Sequence, residues 1–428
     1  MRAFLALIKD SFRESLDSKV FYLLAAGSLL FSIASLSVGF RKRPFDEALL
    51  GVFEKTDWRS IHVSLPETSE NVIVPEVRSL EEQAGTFTLV LSAPDADAFN
   101  ARTVSPGDLA RFLSDGGSEL PASDELMIHR GEKGFRRYLH LRLRQAGFLP
   151  LKIEKTGAMR WAVRCEASDP FRIAGAQSLT FLFGLVEVGL GGYSGRNVVL
   201  ILQSLLANQI AGWAGILVAI VVTAWFLPNL LRKGSIDLLL ARPVSRFLLL
   251  LARYLGGLSF VFLNAALFIG GTWLGMTLGT GFVQPGYLLT VVTITLLFAI
   301  VYSISCLTAV LFRNVVISVL APVAFWFLCY LVNTGKATVD NPVLNAMVSL
   351  PPALKKITTA LYYLLPSTTD LGKLNQVFMR LGEGNEGVML VQQASLENVD
   401  FAGSILSSLL FTAVVVGIAG WLFHRKDF

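Results

Sequence analysis

The side chains best equipped for chemistry in this chain are four histidines, three cysteines and one tight cluster of cations. His62, His129, His140 and His424 share no ligand spacing, and neither H-E-x-x-H nor G-x-S-x-G occurs, so metal-assisted or nucleophilic hydrolysis has no constellation to work from. Cys165, Cys306 and Cys329 are scattered, which leaves no disulfide framework. A nucleotide site would need G-x-x-x-x-G-K-[ST], whose glycines let backbone N–H groups cradle phosphates while the Lys reaches the outer ones. The nearest glycine cluster, Gly189 to Gly195, has the wrong spacing and no Lys, and reads as a hinge. An enzyme reading therefore has little support, and no metal or cofactor is expected in this chain. The cation cluster is different. In RKGSIDLLLARPVSRFLLLLARYLGG, Arg232 to Gly257, the residues Arg232, Lys233, Arg242, Arg246 and Arg253 face a single acid, Asp237, between two long apolar walls.

Composition says what those walls are. The chain has 428 residues, 53% hydrophobic and 16% charged, with a mean hydropathy of +0.57. That is above what a water-facing surface tolerates, and the chain reads as a membrane protein. No Asp, Glu, Lys or Arg occurs in 20–40, 197–231, 254–312, 314–335 or 401–423. A helix rises about 1.5 Å per residue, so about 20 apolar residues cross a hydrocarbon core of roughly 30 Å. The 254–312 block holds two crossings with Gly279, Gly281, Pro285 and Gly286 at the turn between them, which makes six spans. Six buried helices of a soluble protein would need polar faces that these stretches lack. The first span, with acidic residues before it and no A-x-A site after it, reads as a retained anchor rather than a cleaved signal.

Ionisable groups inside spans mark ion paths and proton relays, and these spans have none, which disfavours a carrier driven by protons or sodium. Gln203, Asn208, Gln209, Asn264, Ser303 and Ser305 remain, to hydrogen-bond between helices or to line a path, with packing the favoured role. Whatever energises the protein is expected in another chain.

Lys and Arg collect in short loops on the cytoplasmic side. The cluster after span two, Arg313 between spans four and five, and Arg425 and Lys426 in the tail fall on one side if the spans alternate, so both termini are expected inside a bacterial plasma (inner) membrane. Arg41, Lys42 and Arg43 disagree, but Arg2, Lys9, Arg13 and Lys19 flank the inner end of the same span, and long segments cross largely regardless of charge.

The organisation expected is an amphipathic interfacial helix over 1–19, with Phe4, Leu5, Leu7, Ile8, Phe12 and Leu16 near helical spacing; span one over 20–40; an extracytoplasmic α+β domain over 41–196; and span two over 197–231. A cytoplasmic segment follows over 232–246, then spans three to five over 247–333, an extracytoplasmic loop with short re-entrant or interfacial helices over 334–400, span six over 401–423 and a tail over 424–428. Within the inserted domain TFTLVLSAP and LKIEKTGAMRWAVRCEA alternate as half-buried strands do, while SPGDLARFLSD and GFRRYLHLRLRQAG read as helices. GAQSLTFLFGLVEVGLGG, 175–192, is too short and glycine-rich to cross, and reads either as a strand or as a membrane-surface segment. The uncharged run 357–366 is likewise far too short to span.

The cation cluster keeps two readings on physics alone. It is either a topology signal or an amphipathic element, helical through SIDLLLARPVSRF, that docks into a cytosolic partner and pushes two spans at once. FLPNLLRKGSIDLLLARPVSRFLLLLARYLGGL, 226–258, resembles the segment after the second span of ABC type-2 permeases, especially the NosY-like group with its KG-x-IDLLL-x-[RK]P[IV]SR pattern and following KYLGG, where Arg253 stands in place of Lys. FAIVYSISCLTAVLFRN, the amphipathic start and the ending WLFHRKDF resemble further parts of that family, over residues 1–40 and about 197–428. The insertion between spans one and two departs from it.

The resemblance implies that Lys233, Gly234, Ile236, Asp237, Arg242, Pro243, Ser245 and Arg246 form a coupling helix against a separate ATPase subunit, which binds the ATP and Mg. It also implies pairing with a second permease subunit, expected to be identical. The function expected is a transmembrane permease that exports an amphipathic or lipid-like substrate, or transmits force to the outer domain and a partner there, amid membrane lipids and with no nucleic acid. The alternative from another class is a non-transporting scaffold or sensor whose outer domain binds an extracytoplasmic ligand.

Overall fold

The computed structural model describes residues 19–42, 45–51, 53, 75–83, 85–93, 96, 100–104, 126–167, 173, 177–190, 194–224, 245–340, 351–379 and 401–425. Residues 1–18 of the interfacial helix expected over 1–19, the helix expected at 105–115 and most of the cation cluster lie outside these residues.

The described elements begin with α1 (Lys19–Leu36), β1 (Gly39–Lys42), α2 (Phe45–Gly51), β2 (Glu76–Gln83), β3 (Thr86–Ser92), β4 (Asn100–Val104), β5 (Leu126–Arg130) and α3 (Gly131–Gln145). They continue with β6 (Phe148–Lys155), β7 (Arg160–Ala167), β8 (Gln177–Phe181), β9 (Val186–Gly189) and α4 (Gly195–Thr223). The rest is helical: α5 (Arg246–Thr280), α6 (Thr290–Phe312) after a tight turn at Pro285–Leu289, α7 (Val315–Asp340), α8 (Pro352–Leu364), α9 (Thr368–Phe378) and α10 (Phe401–Arg425). Among the described residues six helices are long and apolar enough to cross a membrane, namely α1, α4, α5, α6 with its leading turn, α7 and α10.

These helices surround α6. Its most apolar window is 67% buried, against 11% for α1, so span four is the hub and span one a peripheral rod with an exposed apolar face. Tyr254, Phe298 and Tyr302 stack at 5.0–5.3 Å across α5 and α6, and the Tyr254 hydroxyl donates to Ala299 O at 2.8 Å. Ser305 Oγ donates to Ser318 O at 2.7 Å, joining spans four and five.

Span one lies along span three through glycine. Gly271, Gly275 and Gly279 recur every four residues and so share one face of α5. A Cβ added at Gly275 would lie 2.5 Å from Ser32 O, and one at Gly279 would lie 2.2 Å from Val38 O. Only hydrogen fits there, the device by which membrane helices approach backbone to backbone.

The strand-bearing region has its own core. β2–β3–β7–β6 form an antiparallel sheet. Strand side chains alternate faces, and Phe87, Leu89 and Leu91 of β3 lie opposite Cys165, Val163 and Trp161 of β7, all buried. Helix α3 covers that face with Phe135, Tyr138, Leu139 and Leu143, leaving Arg136, Arg137, His140 and Arg144 outward. The run read as alternating over 151–167 is two strands, β6 and β7, with a turn at 156–159.

In a smaller sheet, β1–β8–β9, the described part of the segment 175–192 forms two strands, Gln177–Phe181 and Val186–Gly189. Only Ser37 and Val38 separate α1 from β1, which pairs with β8 from Gly39↔Thr180 to Lys42↔Gln177. Of the glycine cluster read as a hinge, residues 191–193 lie outside the described residues, and Gly195 packs on β8. A Cβ at Gly195 would lie 1.9 Å from Gln177 Oε1, so the start of span two is seated against β8. Ser194 caps that helix, its Oγ accepting from Asn197 N at 3.4 Å.

Candidate functional site

Of the residues carried by the family resemblance, Ser245 and Arg246 are described, whereas Lys233, Gly234, Ile236, Asp237, Arg242 and Pro243 lie outside the described residues. Ser245 is the N-cap of α5, its Oγ accepting from Leu248 N at 3.3 Å, and Arg246 is the first helical residue. Span three therefore starts at the end of the cation cluster, and a force applied there enters a continuous 35-residue helix.

The most built polar feature lies among spans two, four and five and the short helix α9, where a cavity of about 400 Å³ opens. Its first wall is the middle of α4, where Leu205–Gly215 winds as a π-helix. Gly212 permits this, since a Cβ there would lie 3.1 Å from Ala207 O, the carbonyl five residues earlier. π segments are rare and recur at functional sites because they turn side chains away from ordinary helical positions. This one presents Asn208, Gln209 and Trp213 to the cavity.

Helix α9 is the opposite wall, packed against α6, α7 and α10. Asn375, buried, donates through Nδ2 to Asn208 Oδ1 at 3.0 Å and accepts from Thr293 Oγ1 of span four. Asn208 Nδ2 in turn donates to Ser204 Oγ at 3.1 Å. Aromatic rings close one side: Trp213 stacks on Trp326 of span five at 4.6 Å, with Tyr330 edge-on at 5.3 Å.

A charged pair stands behind this wall. Asp370, 6% exposed, accepts from the Tyr362 hydroxyl of α8 and from Ser404 Oγ of span six, each at 3.1 Å, and lies 3.4 Å from Lys373 Nζ. Lys373 lines the cavity with its charge answered by Asp370. Paired amides, hydroxyls and aromatic faces around a locally neutralised ion pair suit an uncharged or amphipathic molecule, one that meets hydrogen-bonding groups on one side and rings on the other.

The polar residues singled out in the spans divide. Asn208 and Gln209 line the cavity, and Ser305 bonds across to span five. Ser303 and Asn264 bond to carbonyls of their own helices, at Ile300 O and Phe260 O. Gln203 is fully buried with neither amide atom partnered. Asp370, Lys373, Asn375, Trp213 and Trp326 were not singled out in the sequence. The signal present was two adjacent amides, Asn208 and Gln209, followed within one turn by Gly212.

Among the described residues no group of three or more His, Cys, Asp or Glu could hold a metal ion. His140 lies on the exposed face of α3, and partial burial, helped by the Arg144 charge, lowers its pKa from the ordinary imidazole value.

No curated protein and no solved structure matches the chain. A family model described as ABC-2 family transporter protein matches residues 6–428, running through the strand-bearing region as well as the spans. A multi-pass membrane chain with its polar cavity among the spans, matched over almost its whole length, belongs to the ABC-2 transporter family and is the permease component of an ABC transporter.

Proposed function

We propose that this permease exports an uncharged or amphipathic, lipid-like molecule through the space beside α9, driven by ATP that a separate ATPase subunit hydrolyses. The cavity walled by Asn208, Asn375 and the Trp213–Trp326 stack carries the reading, because its polar and aromatic lining suits such a molecule and its cation is already paired. Family membership supports the partner, since ABC-2 permeases generally work with an ATPase subunit. In this reading the ATPase binds ATP and Mg and docks on Lys233, Gly234, Ile236, Asp237, Arg242, Pro243, Ser245 and Arg246. Two copies of the permease pair, both termini face the cytoplasm of a bacterial cell, and the α+β region stands outside the inner membrane.

Span one runs into β1 with two residues between, so movement of the spans also reaches the sheet, which supports force transmission as a second output. The test is co-purification. Asp237→Asn with Arg242→Ala should abolish recovery of the ATPase while leaving the permease inserted, and unchanged recovery sinks the docking assignment. Reconstitution with that ATPase and a screen of lipids and peptides for stimulated hydrolysis tests the cargo class. Stimulation confined to ionic solutes would rule it out.

A further inference from the structure

The loop joining β8 to β9 reads Leu182-Phe183-Gly184-Leu185 and displays apolar side chains outward, with Phe183 72% and Leu185 85% exposed. An exposed apolar tip on a water-facing turn is costly, and this one is held in an unfavourable backbone. Leu182, Phe183 and Gly184 all take positive φ, 51°, 58° and 93°, a conformation that Leu and Phe rarely adopt.

Its position supplies the reason. β8 runs antiparallel to β1, so the chain from Gln177 to Phe181 travels back from Lys42 toward Gly39, that is, toward the end of span one. The tip overshoots the sheet in that direction. Phe183 N donates to Ser37 O at 3.3 Å, and Ser37 follows directly on Leu36, the last residue of α1. Helix α1 has 18 residues and covers about 27 Å at 1.5 Å per residue. A hydrocarbon core of roughly 30 Å that starts near Lys19 therefore reaches the level of Ser37 and Phe183.

Ile33 and Leu36 of span one are exposed and apolar at that end, so the tip continues a surface already facing lipid. Charge is layered as the interface demands. Arg41 and Ser178 lie opposite each other two rungs beyond Gly39, and both donate to Glu187, Arg41 at 2.7 Å, so the Glu187 carboxylate, whose backbone lies opposite Thr180, is held toward the rungs farther from the span. Apolar residues then sit in the acyl chains and the ion pair sits among headgroups.

We infer that the Leu182–Leu185 tip is a lipid anchor: it inserts into the leaflet on the strand-bearing side and fixes the β1–β8–β9 sheet at the membrane surface. Because β8 also seats the start of span two through Gln177 and Gly195, the anchor sets the height of both span ends relative to the bilayer.

The test uses the full chain in phosphatidylcholine nanodiscs, spin-labelled at one introduced cysteine. Phe183→Cys and Leu185→Cys report the tip, Leu30→Cys a lipid-facing site on span one, and Lys152→Cys a water-facing site on β6. The native cysteines are buried, and their failure to label serves as the folding check. Power saturation compares oxygen, which concentrates in acyl chains, with a water-soluble nickel chelate. The oxygen-to-nickel ratio at 183 and 185 should exceed that at 152 several-fold and approach that at 30. A ratio equal to that at 152 overturns the inference. Protection from both reagents also overturns it, because protein, whether a second copy or another partner, would then cover the tip. Leu185→Cys lies outside the positive-φ turn, so the outcome is readable even if substitution at 183 disturbs the loop.

Discussion

The side-chain amide of Asn375 bridges two transmembrane helices at once, donating to Asn208 at 3.0 Å and accepting from Thr293. Such a bridge fixes the amide orientation on both sides of the cavity and ties α9 to spans two and four.

Asn375→Leu should therefore leave Asn208 Oδ1 without its donor, while Thr293 keeps the carbonyl of Thr290, lowering stability by about 1–3 kcal/mol. Adding Asn208→Leu should recover part of that loss, because both ends of the bond are then apolar. Thermal unfolding of purified protein measures the stability, and cargo-stimulated hydrolysis by the assembled transporter measures the function. Recovery of the first without the second is the expected result. Full additivity of the two stability losses would mean that the amides do not interact.

Gly275→Leu should separate span one from span three. Its Cβ would meet Ser32 O at 2.5 Å and Leu36 N at 2.9 Å, both backbone atoms that cannot rotate away. Overpacking of this kind costs about 1–3 kcal/mol, and here it also frees a peripheral helix. Gly270→Ala, five residues earlier with nothing within 4 Å of its Cβ, should be nearly silent. A cross-link between cysteines placed at Phe31 and Phe268, whose rings lie 5.3 Å apart, is expected in the parent and in Gly270→Ala and lost in Gly275→Leu.

Asp370→Leu should cost more than Asp370→Asn. The leucine removes the acceptor used by Tyr362 and Ser404 and leaves Lys373 unanswered, whereas the asparagine keeps an oxygen for the hydroxyls. Breaking a fully buried pair costs about 3–5 kcal/mol, and the partial exposure of Lys373 places this case below that range. Equal unfolding temperatures for the two variants would show that the hydroxyl contacts contribute nothing.

Cys165 should resist alkylation. Burial pushes its thiol up to about 12, and it sits in the sheet core opposite Phe87. At pH 8 roughly one molecule in ten thousand then carries the thiolate, the reactive form. Maleimide counting by mass should show modification only after unfolding. Since the folded thiol holds its proton more tightly than the unfolded one, this group favours folding below pH 9, and that contribution fades as pH rises from about 9 through 12. Prompt labelling of the native protein would place the sheet core in water.

The spans were legible because a charge-free run of about twenty residues has few other uses. The main sheet was legible because Phe87, Leu89 and Leu91 recur at every second position between Thr86, Thr88 and Ser92, a period of two that only Val90 blurs. The cavity was not. TTDLGKLNQVF carries an acid, a base and two amides, a mixture that resembles a solvated loop until α6, α7 and α10 close around it. Nor does LLANQIAGWAG declare a π-helix, because it is intermediate in hydropathy between its two flanks and only Gly212 and Gly215 mark the place where a wider turn fits. The glycines of α5 were visible at four-residue spacing, yet Gly279 read as part of a turn and the face it shares with Gly271 and Gly275 went unread. Gly195 had a second use that the sequence does not show: glycine permits close approach as readily as bending, and here Gln177 occupies the gap beside it.

The pairing of Lys42 with Gln177 across the β1–β8 ladder puts two positions far apart in sequence side by side in space. A two-residue Asn-Gly turn is enough to join antiparallel neighbours. Everything from 43 to 176 can thus be excised and the cut ends sutured without stretching the chain at either span. The resulting minimal permease would keep the lipid-level sheet intact and would isolate whatever task the Phe87–Trp161 cassette performs.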